Sequence, residues 1–365
     1  MKTFLRNFYF THFDPEHIIS RIHDGNSDLK GALLNARPIT KEQKEMVQEF
    51  WRPYLQGFVA KKSFDIRWFD VYNRTNILGD KLELYIPDGY YYAVIDRFFN
   101  DPIRCKFMDD KNLYNLYFYD VNQAKTVCRK ERDFYLDANY KIISRKEALD
   151  NCVSMGGIIL KPSISAWSGS GIKKWVAGSN TVSELEVLID SKGPFVVQEL
   201  IQQHESLSQF NDSCVNTMRL VTLTVGGGSP EVITSVLIMG GRGSFTNHLH
   251  SGGLICGINP DGSLHPYAFD GKLQQYETHP NGPVFAQCYI PNFHKCVDLV
   301  KSLAPRLVSC SRLTAWDITL DKNCEPLLIE VNLDYGGVVQ KAGGPIFGDH
   351  TEDLLDYIKK NGGLK

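Results

Sequence analysis

The chain reads as an α+β protein. Helices with recognisable caps and runs of β-branched and aromatic residues both abound. In the second half the strand runs follow one another through short turns, as antiparallel hairpins do, and not with the regular helix alternation of a doubly wound parallel sheet. The 365 residues exceed one small core and predict two or three subdomains.

The elements follow in order. Pro38, a capping Thr40 and KEQKEMVQEFWRPYL predict a helix within 38–57. Residues 64–95, broken at Gly79 and at Pro87-Asp88-Gly89, read as irregular and helical surface around a small sheet. A helix opening at Asp109 or Asp110 is expected in 107–121. Residues 134–144 form a hairpin turning at Asp137-Ala138-Asn139, and Ser144 caps a helix running to about Met155. Then come strand GIILKP, a Ser- and Gly-rich loop, strand IKKWV, a helix at 182–191 and a strand at 194–201. Further strands are expected at 216–225, 231–240 and 253–258, with a Gly-rich turn at 240–243. A helix at 291–304 leads into a hairpin at 316–332, a Gly-rich tail at 336–348 and a final helix at 351–360.

Composition narrows the function classes. Hydrophobic residues make up 43% and charged residues 22%, as in an ordinary globular protein. The net charge of −2 gives no basic field for nucleic acid, and Arg129-Lys130 and Lys173-Lys174 read as solvated surface. The nine cysteines are scattered, with no Cys-x-x-Cys, which predicts small buried thiols in a reducing compartment. No apolar run of about 18 residues would span a membrane. The N-terminus lacks a signal-peptide core. A cytoplasmic protein is expected.

The hairpin carries the most chemistry. Folding 316–332 about Asn323–Cys324 sets Asp317 opposite Glu330, and alternation turns Glu330 and Asn332 to the same side. Two carboxylates and an amide oxygen that converge suit a hard cation, Mg²⁺ or Mn²⁺, which usually comes with phosphate; a solvated hairpin face is the plain alternative. Lys161, inside an apolar strand, calls for an anionic partner unless it merely faces a sheet edge. The loop Ser163 to Gly171 after it, with Ser168, Gly169, Ser170 and Gly171, exposes amides that can cradle phosphate. Arg219, mid-strand among apolar residues, suits phosphate or a salt bridge to a nearby acid; Arg242 in Gly240-Gly241-Arg242-Gly243 is a weaker candidate of the same kind. Glu199 ends its strand where a carboxylate could hold ribose hydroxyls beside an adenine, with Glu205 a second option; a charged strand end is the default for both. His204, His248 and His250 show no metal-site spacing, and no nucleophile motif is present.

The order of these features is informative: Asp110-Lys111, Lys161 with its loop, Gln198-Glu199-Leu200-Ile201, Asn216-Thr217-Met218-Arg219, Ser251-Gly252-Gly253, Asp317, and Glu330-Val331-Asn332. It resembles the ATP-grasp superfamily over roughly 100–348, and more narrowly its sugar-transfer-associated branch, related to glutamate ligases. The resemblance implies two α+β lobes gripping ATP after a smaller N-terminal α/β region: residues 1–105, then a nucleotide lobe at 106–205 and a metal-binding, catalytic lobe at 206–365. It implies Lys111 and Lys161 as nucleotide-binding lysines, Gln198 to Ile201 as the adenine hinge, Arg219 on the phosphates, and Asp317, Glu330 and Asn332 as magnesium ligands. Many relatives place Arg two residues after the Asn; here position 334 is Asp, so Arg242 or another residue replaces it, or the acceptor chemistry differs.

The activity so implied is an ATP- and Mg²⁺- (or Mn²⁺-) dependent ligase joining a small-molecule carboxylate to an amine through an acyl phosphate, in surface polysaccharide or sugar-acid and amino-acid conjugate synthesis. It involves no nucleic acid and no membrane insertion, and a homodimer is compatible with it. A small-molecule phosphotransferase and a nucleotide-binding protein without turnover are the alternatives.

Overall fold

Three helices start on reciprocal capping boxes, in which a hydroxyl accepts an amide N–H and the side chain three residues on accepts one in return. The pairs are Thr40 with Gln43, Ser144 with Glu147 and Thr181 with Glu184, opening helices Lys41–Trp51, Arg145–Met155 and Val182–Ile189. The structure, a computed structural model, describes residues 18–164, 171–333 and 337–364.

Six strands build the smaller sheet: β1 (Thr126–Glu131), β2 (Phe134–Leu136), β3 (Ile142–Ile143), β4 (Gly157–Pro162), β5 (Lys173–Val176) and β6 (Phe195–Glu199). Their order is β3-β2-β1-β6-β4-β5, antiparallel throughout. Helices 145–155 and 182–189 cover one face, packing Ala148, Cys152, Leu185 and Ile189 on Cys128, Ile158, Leu160 and Val197. β1 is a strand that the sequence pattern does not signal, and Arg129 is not the solvated surface expected of it. That side chain is fully buried. It donates to the carbonyls of Asp137 (2.8 Å) and Ala138 (3.2 Å) and to Asn115 Oδ1, and it lies over the Tyr140 ring. A hairpin turn that presents carbonyls together suits a planar fork of donors, and this outweighs the arginine's preference for water. Lys173 and Lys174 are exposed, as expected.

The larger sheet holds β7 (Thr217–Leu223), β8 (Glu231–Met239), β9 (Leu254–Ile258), β10 (Leu264–Asp270), β11 (Gln275–Tyr276), β12 (Leu313–Leu320) and β13 (Pro326–Asn332). The order is β11-β10-β9-β8-β7-β12-β13, again antiparallel. Pro266 hides β10 from sequence analysis, because proline interrupts a ladder; the register shifts between Leu264 and Ala268 to accommodate it. One face packs Met218, Leu220, Leu237, Trp316 and Ile318 beneath helix Phe293–Leu303. The other face packs Val221, Leu223, Val236, Leu313 and Ala315 against the N-terminal segment and helix Thr351–Lys360.

Residues 64–95 are irregular and helical, as expected, but largely buried and without the small sheet. Among the described residues they form short helical segments, including a π-helix at Tyr91–Asp96, and no strand. Trp68, Phe69, Tyr72, Tyr85, Tyr90 and Tyr91 are buried. Tyr72 stacks on Trp68 and Tyr85, and its hydroxyl donates to Ile86 O at 2.7 Å. Aromatic content here supplies a helical core, with the tips of Trp68, Tyr72 and Tyr90 hydrogen-bonded, instead of a pleated surface. Seven of the nine thiols are buried and all are free. Among the described residues, no helix is long and apolar enough to cross a membrane.

Candidate nucleotide and metal site

The hairpin forms in the expected register: Asp317 faces Glu330, and Ala315 faces Asn332. On the other side of β12, Asp317 faces Arg219 of β7. Arg219, Asp317 and Glu330 therefore form a row across three adjacent strands. They share the face that carries Val221 and Ala315, because side chains alternate along each strand.

The row is tied by charge. Arg219 grips Asp317 with two parallel bonds, Nε to Oδ1 and Nη2 to Oδ2, each 2.7 Å. The pair is largely buried, with side-chain exposures of 17% and 9%. Asn332 Nδ2 donates to Asp317 Oδ2 at 3.2 Å. Glu330 is held from the other lobe, where Lys111 Nζ lies 2.7 Å from Oε1.

Lys111 opens a short 3₁₀ turn after Asp110, whose side chain accepts the Asn112 N–H. Its own N–H donates to Ser163 O at 2.9 Å, which anchors the turn to the end of β4. Lys161, half-buried, sits two residues earlier on β4. Burial pushes its ammonium down to about 8; the Glu330 charge opposes the shift and the Lys111 charge adds to it. Three cations thus face two carboxylates, an excess of one positive charge that suits a phosphate chain.

Gln198 and Glu199 end β6, and the chain leaves the ladder at Leu200 and Ile201. Glu199 Oε1 accepts the Lys125 N–H at 3.1 Å. Glu205 is exposed at the start of a short helix. Arg242 is exposed in the turn after β8; three residues on, Phe245 lies against Lys174 of β5 across the gap between the sheets. Gly171 has φ +79°, and a Cβ there would meet Pro162 at 2.8 Å. Ser168, Gly169, Ser170 and Asp334 lie outside the described residues, as does the side chain of His250.

Asn216 has a different task from its motif neighbour Arg219. Fully buried, it donates to Leu207 O and Asn211 O and accepts the Gly240 N–H, which braces the loop before β7. His204 caps the helix at Glu205 with its ring. Sequence analysis missed two residues that hold the hairpin. Asn100 donates to Leu313 O (2.8 Å) and Leu333 O (3.0 Å); Tyr114 bonds the backbone of Val331. The signal for Tyr114 was its place three residues after Lys111.

Among the described residues, no three His, Cys, Asp or Glu side chains group to hold a metal ion; the set here is two carboxylates and one amide. Those oxygen donors fit Mg²⁺ or Mn²⁺. Both carboxylates are held by protein cations, Asp317 by Arg219 and Glu330 by Lys111.

The two antiparallel sheets and this row of charges frame the comparison with known proteins. The description "Sugar-transfer associated ATP-grasp" matches residues 93–348. The chain belongs to that family and has the α+β ATP-grasp fold. No curated protein matches it. Among solved structures it is similar to D-alanyl-alanine synthetase A from Vibrio cholerae, at 12% identity and TM-score 0.43, covering 71% of this chain and 66% of that one. It is similar to the ATP-grasp ligase PsnB with its minimal precursor, at 14% identity and TM-score 0.41, covering 87% and 75%. Similarity to an L-amino acid ligase from Bacillus licheniformis is 15% in identity, with TM-score 0.39 and 69% and 48% covered.

Proposed function

We propose that this protein is an ATP-dependent carboxylate–amine ligase that forms an amide through an acyl phosphate, in the synthesis of surface polysaccharide or of sugar-acid and amino-acid conjugates. The observation that carries the reading is the Arg219–Asp317–Glu330–Lys111 row, with Lys161 beside it. In that reading Lys111, Lys161 and Arg219 bind the phosphates, and the loop ending at Gly171 adds backbone amides. Gln198 to Ile201 receive the adenine, and Glu199 or Glu205 the ribose. Asp317, Glu330 and Asn332 would hold Mg²⁺ (or Mn²⁺), which supplies charge neutralisation at the β- and γ-phosphates.

The ion pairs imply how the site loads. Phosphate oxygens compete for Lys111 and Arg219, and the carboxylates so released become available together. A substrate carboxylate oxygen then attacks the γ-phosphorus and the bond to ADP breaks. Lys161 and Arg219 offset the charge that moves. An amine attacks the acyl carbon, phosphate departs and the amine loses a proton. No protein nucleophile is needed. In that reading Arg242, exposed on the turn after β8, or another residue steadies the acyl phosphate.

The test is to incubate the protein with ATP, Mg²⁺ and hydroxylamine over a panel of sugar acids and amino acids. Hydroxamate and ADP are expected with the right acid, and neither in Arg219→Ala. A stable phosphorylated product without hydroxamate would favour the phosphotransferase, and AMP with pyrophosphate would overturn both.

A further inference from the structure

β13 is the last strand of its sheet, so backbone groups on its outer side have no strand to pair with. Val331 stands there, between Glu330 and Asn332. Its N–H and C=O turn away from β12 and meet one side chain. The Tyr114 hydroxyl accepts the Val331 N–H at 3.2 Å and donates to Val331 O at 3.3 Å. A hydroxyl has the proton and lone pairs for both roles. Val331 and Tyr114 are 5% and 6% exposed, which leaves little water to take over if the hydroxyl is lost.

The rest of the edge is covered by the same stretch of chain. Asn122 O accepts the Leu328 N–H at 2.9 Å, and Gln123 bridges to Leu328. Tyr114 also lies one turn after Lys111, whose ammonium holds Glu330. Burial, and then the Glu330 charge, push the phenol well above the usual tyrosine range, so it keeps its proton.

We propose that Tyr114 is a positioning residue for the metal site. Its hydroxyl fixes the backbone between Glu330 and Asn332 and so sets the spacing of their donor oxygens. The inference rests on the metal site of the proposed function and not on its acceptor chemistry.

Tyr114→Phe keeps the ring and removes only the hydroxyl. Mn²⁺ binding in the presence of ADP, followed by electron paramagnetic resonance of free Mn²⁺, reads the effect. Affinity should fall about 10-fold or more, as is typical when a group supporting metal ligands is lost. ADP affinity in chelator should be unchanged, and KM for Mg²⁺ should rise by more than kcat falls. Phe118→Leu is the control. Phe118 packs between the rings of Tyr114 and Trp316 and carries no hydroxyl for the Val331 backbone, so its loss should lower the melting temperature and leave Mn²⁺ affinity intact.

Equal Mn²⁺ affinity in Tyr114→Phe and the parent would overturn the assignment, as would an equal loss in Phe118→Leu. If the parent with ADP binds no Mn²⁺, the metal-site reading fails and this assignment with it. Should Tyr114→Phe not fold, amide exchange of the parent decides: the Val331 amide should exchange as slowly as amides within β12, and fast exchange there overturns the role.

Discussion

One face of the larger sheet has two ends that share strands but not chemistry. At one end Leu223, Val221, Leu313 and Ala315 lie under the N-terminal segment in an apolar core. At the other, on the same strands and the same side, stand Arg219 and Asp317. Leu313 and Asp317 are four residues apart on β12. The apolar end is covered by a helical segment rich in aromatic rings; the charged end is met by Lys111 from the other lobe. A strand's alternation thus assigns a residue to a face, but what covers that face decides whether it serves stability or chemistry.

Substitutions along β12 and β13 should break the comparison cleanly. Leu313→Ala empties a site that is 2% exposed; a loss of about 2–5 kcal/mol in unfolding free energy is expected, with ADP and Mn²⁺ affinity unchanged while the protein is folded. An equal loss of binding would show that the two ends are not independent.

Asp317→Asn and Glu330→Gln should each lower turnover by about 10²–10³-fold. They differ in stability. Asp317→Asn removes the charge from a largely buried ion pair, so melting should fall as well. Glu330 is 30% exposed and Lys111 15%, so Glu330→Gln should melt near the parent. Near-normal turnover at saturating Mg²⁺ in either variant would remove the metal site from this face.

The smallest effect is in pH. Lys161 is charged below about 8 and neutral above. ADP affinity in chelator should therefore fall as pH rises through that value, by up to about tenfold per pH unit, and Lys161→Met should flatten the profile. The stability sign is opposite. An unfolded lysine titrates higher, so the unfolded chain binds more protons above about 8, and the burial penalty at Lys161 eases as pH rises further. A pH-independent ADP affinity in the parent would place Lys161 away from the phosphates.

Local patterns were legible. The three capping boxes depend on residues three apart, and the Asp317–Glu330 register on a tight turn and period-two alternation. The small sheet expected in 64–95 does not form, because aromatic and β-branched residues suit a helical core as well as a strand. Arg129 failed because neighbouring charges read as surface, while its carbonyl partners are supplied by a turn formed later in the chain.

By itself the sequence determined many of the elements, their caps, the hairpin register and the ordered set of charged residues, all consequences of backbone geometry over a few residues. Only the tertiary structure decided which opposite charges meet. Arg219 joins Asp317 across 98 positions because β7 and β12 are neighbours. Lys111 joins Glu330 because the lobes face each other, and Tyr114 closes an edge that exists only once the sheet has formed. Such contacts depend on strand order and lobe packing, which no local pattern encodes.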